Sequence, residues 1–191
     1  MFSTSARRDA IALARETVAL RPITLDTETT GLDPAAEIVE ICLLDYDGSP
    51  LVDSLVRPAA RIPAEATAVH GITNAMVAGA PTWPELWPQV ATAIRGRTVA
   101  IYNRDYDVRL MRQSHRRWGL PWPDPPAIFF CIMETYAQFY GKWDRRRGHY
   151  RYLRLEEAGW QCGLSLPNAH RARPDAALAR EVLLCLARQT P

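Results

Sequence analysis

The stretch Ile23-Thr24-Leu25-Asp26-Thr27-Glu28-Thr29-Thr30-Gly31 organises the reading of this chain. Arg21-Pro22 stops what precedes it, because the residue before a proline is pushed out of helical geometry. Ile23-Thr24-Leu25 then starts a strand, and Gly31-Leu32-Asp33-Pro34 has turn composition. Asp26 and Glu28 fall near the end of that strand. Positions two apart share one face, so both carboxylates point the same way. Side by side they repel, and burying them without compensation is costly. A divalent cation resolves the conflict, and hard oxygen donors of this kind suit Mg²⁺ or Mn²⁺. Taken alone, the pair also fits an exposed strand end carrying ordinary surface acids.

The flanking segments predict one α/β domain. Residues 5–20 recur as apolar positions at helical spacing and form an N-terminal helical extension over 1–20. A second strand is expected over 37–46, with Asp47-Gly48 as a tight hairpin turn before a third over 51–56. A helix opens at Pro81–Pro88 and continues to Ile94, a short strand covers 98–102, and a helix covers 105–118. A proline-rich loop spans 121–126, and residues 128–140 read as a strand end passing into a helix. Residues 141–151 form an arginine-rich aromatic loop, 153–162 a helix closed by Gly163, and the last helix begins at Pro174. Hairpins first and alternating helices and strands afterwards place a single sheet among packed helices. At 191 residues the chain makes one domain, 1–191.

Composition narrows the functional classes. Lys plus Arg number 23 and Asp plus Glu 21. If four carboxylates are committed to metal ions, 23 basic groups face 17 acidic ones elsewhere, a surface that favours a polyanion. Cys42, Cys131, Cys162 and Cys185 form no CxxC pair and sit among apolar neighbours. Buried thiols are expected at all four, with no zinc ribbon and no disulfide framework. No signal-like segment follows the polar start, and no stretch nears the ~18 apolar residues of a membrane span, so the expectation is a cytoplasmic protein with no membrane partner.

Three further carboxylates and one histidine enter by their placement. Asp107 follows the strand over 98–102, in the first turn of the next helix, where an acid is also favoured by the helix dipole. Asp105 competes with it. Asp175 occupies the matching place in the last helix, and His170 lies five residues before it in a loop.

The combination resembles the DnaQ-like, or DEDD, exonuclease family. Asp26-Thr27-Glu28-Thr29-Thr30-Gly31 is similar to its first motif, a strand-borne Asp-x-Glu followed by a Thr-Gly turn. Asn103 to Asp107 is similar to the second, Asn-x-x-aromatic-Asp. His170 to Asp175 is similar to the third, His-x-x-x-x-Asp, which marks the DEDDh branch; the tyrosine branch has an aromatic where this chain has Arg171. His70-Gly71-Ile72-Thr73 stands where members often carry His-Gly-Ile. Tyr102 replaces a frequent histidine, and Arg104 and Asp105 are bulkier than usual.

The resemblance spans residues 22–188 and implies an RNase H-like mixed five-stranded sheet of order 3-2-1-4-5, with the first three strands antiparallel. It implies a 3′→5′ exonuclease that removes 5′-nucleoside monophosphates from single-stranded ends, DNA in the first reading and RNA in the alternative. Two Mg²⁺ or Mn²⁺ ions would be held by Asp26, Glu28, Asp107 and Asp175. Asp26 would bridge both, and Asp107 would act largely through water. His170 would take the proton of the attacking water. Thr29 amides would hold the terminal 3′-OH, Leu32 would wedge against the last base, and Asn103 would brace the second-motif turn near the scissile phosphate. His70 lies near the substrate end by the same analogy, with a buried structural role equally open. Arg145, Arg146, Arg147, Arg151, Trp143 and Tyr150 would form either a basic stacking ledge or a solvated loop. An alternative of another class is an idle adaptor docked on a polymerase or larger nucleic-acid machine. The intact acidic set with His170 argues against idleness, and a proofreading partnership is compatible with activity.

Overall fold

The computed structural model describes residues 4–122, 127–165 and 170–190. Part of the proline-rich loop, 123–126, lies outside them. In chain order the elements are α1 (Thr4–Ala19), β1 (Ile23–Thr29), β2 (Ile38–Leu44), β3 (Pro50–Leu55), α2 (Ala64–His70), α3 (Asn74–Val77), α4 (Trp83–Ile94), β4 (Thr98–Ile101), α5 (Arg104–Arg117), β5 (Ile128–Cys131), α6 (Ile132–Tyr140), β6 (Trp143–Asp144), β7 (His149–Tyr150), α7 (Leu155–Gln161) and α8 (Ala172–Arg188).

The main sheet has the order β3-β2-β1-β4-β5. β1, β2 and β3 pair antiparallel, and β4 and β5 add in parallel. The expected RNase H-like sheet is therefore present in order and direction. α2 and α3 were not anticipated. Both are short, and Thr73 caps α3 by accepting the amide of Met76. The loop over 141–151 holds the β6–β7 hairpin, again too short to announce itself by alternation.

Period-two alternation along β1 divides the molecule. Ile23 and Leu25 enter a core with Trp83, Val90 and Ile94 of α4 and with Leu110 and Met111 of α5. Thr24, Asp26 and Glu28 face the other way. On β2, Cys42 and Leu44 of that second face pack against Ala172 and Ala176 of α8. The small side chains at the start of α8 bring its first turn close to the sheet. α1, α6 and α7 complete this layer around Leu178, Val182 and Leu186. Gly159 on α7 permits a tight crossing, since a Cβ there would come within 2.9 Å of Leu178 Cδ1.

One sequence expectation is corrected. Cys162 and Cys185 are paired in a disulfide, with Cα atoms 6.1 Å apart, because the end of α7 packs on the end of α8. Cys42 and Cys131 are the expected buried thiols. Among the described residues, no helix is long and apolar enough to cross a membrane.

Candidate active site

The acids gather on the α8 side of β1. One carboxylate oxygen each from Asp26, Glu28 and Asp175 lie within 4.8 Å of one another. The strand supplies two because of its pleat, and α8 supplies the third from its first turn. Asp175 is buried, while Asp26 and Glu28 are partly so.

Asp107 approaches from the first turn of α5. Its Oδ1 accepts the hydroxyl of Thr27 at 2.7 Å, across the other side of β1. It lies outside the tight trio yet is one of the charges acting on Asp26. Asp105, the competitor in sequence, points to solvent and pairs with Arg104 at 2.9 Å. Asp107, buried at 4% exposure and acting on Asp26 by its charge, is thus the better-placed second-motif acid.

Electrostatics oppose the joint ionisation of this cluster. Burial, followed by repulsion from Asp107, Glu28, Asp175 and Glu40, holds the Asp26 carboxyl well above the usual range. Burial and the neighbouring Asp175, Glu40 and Asp107 push Glu28 up to about 8. Burial lifts Asp107 to about 7, partly offset by the Thr27 hydroxyl. Carboxylates so placed either take up protons or share positive ions. Oxygen-only donors at this spacing fit a hard divalent cation.

Glu40 and Arg171 complete the frame, and neither stood out as a functional position in the sequence. Glu40 is the cross-strand partner of Glu28 and is 5% exposed. Like charges directly opposite destabilise a sheet. Here Arg171 Nε donates to both Glu40 oxygens at 3.1 and 3.0 Å, and Arg171 Nη2 donates to Oε1 at 2.5 Å. The amide of Ala172 donates to Glu40 Oε2 at 2.9 Å. α8 has no capping side chain at its own N-cap residue. Glu40 caps it from the sheet instead, which fixes the turn bearing Asp175 and the residue after His170. The available signal was a lone charge inside the apolar run Ile38-Val39-Glu40-Ile41.

His170 is exposed and holds a left-handed backbone, φ 46°. It is close enough to His70 to act on it electrostatically. His70 is buried. Its Nδ1 accepts the amide of Ile72 at 3.0 Å, so the proton resides on Nε2, which donates to the carbonyl of Thr29 at 3.2 Å. Burial keeps this imidazole below its ordinary pKa, in the neutral form that the two contacts require. His70 thereby braces the end of β1 rather than presenting an open ring nitrogen.

The Thr-Gly turn is pinned from α5. The hydroxyls of Thr29 and Tyr106 share two protons among three contacts, 2.8 Å to each other and 2.8 and 3.0 Å to the accepting carbonyl of Gly31. Tyr106 is a third residue whose role the sequence left unread. Beyond the turn Leu32 projects outward at 77% exposure. Asn103 starts α5 with its carbonyl, which receives the amides of Tyr106 and Asp107 at 3.0 and 3.4 Å; its side chain does not cap the helix.

A mixed sheet of this order with acids on the central strand and at two helix starts defines the nuclease class of the RNase H-like fold. The family model described as RNase_T exonuclease matches residues 23–183, and this chain belongs to that family. It is 42% identical over 172 residues to the uncharacterized exonuclease CP81 of Escherichia phage 186, covering 87% of this chain and 88% of that protein. It is 30% identical over 173 residues to a DNA polymerase III subunit epsilon-like protein of Rhodobacter capsulatus, covering 86% of this chain but only 23% of that protein. Among solved structures, Exonuclease X in complex with 5′ overhanging duplex DNA superposes with a TM-score of 0.63 at 26% identity, over 85% of this chain and 88% of that one.

Proposed function

We propose that this protein is a 3′→5′ exonuclease that releases 5′-nucleoside monophosphates from the 3′ end of single-stranded DNA. The observation that carries the reading is the trio Asp26, Glu28 and Asp175, whose oxygens converge within 4.8 Å while burial and mutual repulsion oppose their joint ionisation. Such a trio, with Asp107 beside it, suits two Mg²⁺ or Mn²⁺ ions. When bound, a pair of ions of this kind aligns a phosphodiester with water and offsets the charge that develops during in-line displacement.

The protein's own groups have separable tasks. Asp26 and Glu28 would hold such ions from the strand and Asp175 from α8, with Asp107, outside the trio, as the fourth acid. His170, at the solvent edge, takes the proton of the attacking water and passes it to bulk. The water oxygen bonds to phosphorus, the bond from phosphorus to the 3′ oxygen breaks, and that oxygen takes a proton from solvent, so the shortened strand keeps a 3′-OH. Thr29 and Leu32 receive the terminal nucleotide, the first through its backbone and the second as an exposed apolar wedge. Asn103, exposed at the start of α5, faces the strand near the scissile phosphate. His70 acts behind them by orienting the Thr29 carbonyl.

The DNA assignment is supported by the DNA complex of Exonuclease X and by the epsilon-like relative. The latter also supports a proofreading association with a polymerase. The test is cleavage of linear and circular single strands with Mg²⁺, Mn²⁺ or EDTA, with RNA in parallel. Linear DNA is expected to be degraded only with a divalent ion, and the circle to survive. Equal cutting of the circle, or undiminished cleavage in EDTA, contradicts the proposal.

A further inference from the structure

A groove of about 970 Å³ lies apart from the acidic cluster, between the β6–β7 hairpin and the segment leading into α7. Its lining contains the cations Lys142, Arg145, Arg146, Arg147, Arg151 and Arg154 against two carboxylates, Asp144 and Glu157. That is a net charge of +4 in one concavity, on a chain whose total is +2. Positive charge also gathers along α5, where Arg104, Arg109, Arg112 and Arg116 face Asp105 for a net +3, so this groove carries the higher net charge of the two.

The carboxylates are already engaged. Asp144 Oδ1 accepts the amides of Arg146 and Arg147 at 2.9 and 3.1 Å, which shapes the hairpin turn. Glu157 accepts the amide of Arg154 at 2.9 Å. Arg145, Arg146 and Arg147 are left exposed on the turn. Two aromatic side chains share the lining, Trp143 at 47% and Tyr152 at 41% exposure. Trp143 is held edge-on by Tyr150, their centroids 5.0 Å apart, and Tyr152 is stacked on His149. Fixed, half-exposed rings among arginines offer both stacking and phosphate contact, the pairing that single-stranded nucleic acid uses without regard to sequence. An acidic protein surface would use the charges but leave the rings unexplained.

The groove is tied to the catalytic end of the sheet. Tyr102, next to Asn103, donates its hydroxyl to the carbonyls of Leu153 and Arg154 at 3.0 and 3.2 Å. Tyr152 lies near enough to Glu134, Asp105 and Arg104 to be influenced by them, and Asp105 shares the first turn of α5 with Asp107. The groove's floor is thus joined to the segment that carries Asn103 and Asp107.

We infer that the β6–β7 groove binds the phosphate backbone of the single strand upstream of the bond being cut. This rests on the exonuclease reading for its direction but not for its chemistry. The test compares the protein with Arg145→Ala/Arg146→Ala/Arg147→Ala and with the triple lysine variant. Binding of a fluorescent single strand longer than the ~4–16 nucleotides of a typical site is titrated in EDTA at several salt concentrations, in DNA and RNA arms. Losing three phosphate contacts lowers the log–log salt slope by about 2. Wild type then loses about 20-fold more affinity than the alanine variant between ~50 and ~200 mM salt. The lysine variant keeps the wild-type slope, because charge suffices for this term. Hydrolysis of the p-nitrophenyl ester of thymidine 5′-monophosphate with Mn²⁺, a substrate too short to reach the hairpin, stays at wild-type rate and reports an intact fold. An unchanged slope in the alanine variant overturns the inference, whatever else the groove serves. Absent ester hydrolysis in all three proteins counts against the exonuclease reading and leaves the slopes to decide the groove.

Discussion

Glu40→Gln is nearly isosteric and tests whether the sheet holds the start of α8. In the native site Glu40 Oε2 receives Ala172 N and Arg171 Nε, while Oε1 receives Arg171 Nη2 and Nε. A glutamine has one acceptor and one donor end. Placed either way, its NH₂ meets an N–H, of Arg171 in one orientation and of Ala172 in the other. At least one charge-assisted hydrogen bond is lost, worth about 1.5–3 kcal/mol. Two effects reduce the cost. Arg171 is 40% exposed, so water takes up part of its charge. Removing the Glu40 charge also relieves Asp26 and Glu28, although Glu40 is a lesser cause of either shift than burial. A net loss of about 2 kcal/mol remains, or a fall in Tm of about 4–8 °C for a domain of this size. The rate on a labelled single strand drops about 10–100-fold, since small displacements of reacting groups cost about that much. The assay is thermal unfolding with single-turnover cleavage, in a cycle with Arg171→Gln. Coupling of about 1 kcal/mol or more is expected. Additive effects within ~0.5 kcal/mol, or a variant with wild-type Tm and rate, refute the clamp.

Three further outcomes follow from the site. Asp26→Asn reduces cleavage to background while the metal-free Tm stays equal or rises, because it removes the most opposed charge in the cluster; a metal-free variant that melts well below wild type contradicts this. His170→Ala lowers the rate about 10²–10⁴-fold with metal affinity unchanged, as measured by calorimetry, and a loss under tenfold means another base. Glu28 and Asp107 have folded values raised to about 8 and about 7, so the folded metal-free protein holds protons that the unfolded chain has released. Stability is greatest below the unfolded values near 4–4.5 and falls as pH rises toward 8. In EDTA, Tm is expected to be lower at pH 8 than at pH 5, with Mn²⁺ stabilising most at pH 8; a flat profile counts against the crowding of these acids.

The residues that made the fold legible were those whose signal is local. Ile23 to Gly31 showed a strand and turn by alternation and punctuation, and Ile128–Tyr140 was read as a strand passing into a helix, which β5 and α6 reproduce. Asp26, Glu28, Asp107, His170 and Asp175 stand out in the sequence because three spaced motifs occur in order, and of these the structure gathers Asp26, Glu28 and Asp175 into one trio. What escaped depends on distant chain. Arg171 and Glu40 are 131 positions apart, and only the packing of α8 on β2 joins them. The pairing of Cys162 with Cys185 likewise depends on where two helix ends meet. His70 was open between substrate contact and structural brace, since the sequence gives no direction for its ring nitrogens.

The central claim is that a free 3′ end enters the Asp26, Glu28 and Asp175 cluster. The most direct measurement follows one single strand labelled at its 3′ end and, in a parallel sample, at its 5′ end, in the presence of Mn²⁺. The account predicts that the 3′ label appears first as a nucleoside 5′-monophosphate, while the 5′ label shortens one nucleotide at a time. Early release of the 5′ label as a mononucleotide, or internal fragments from either sample, would contradict it.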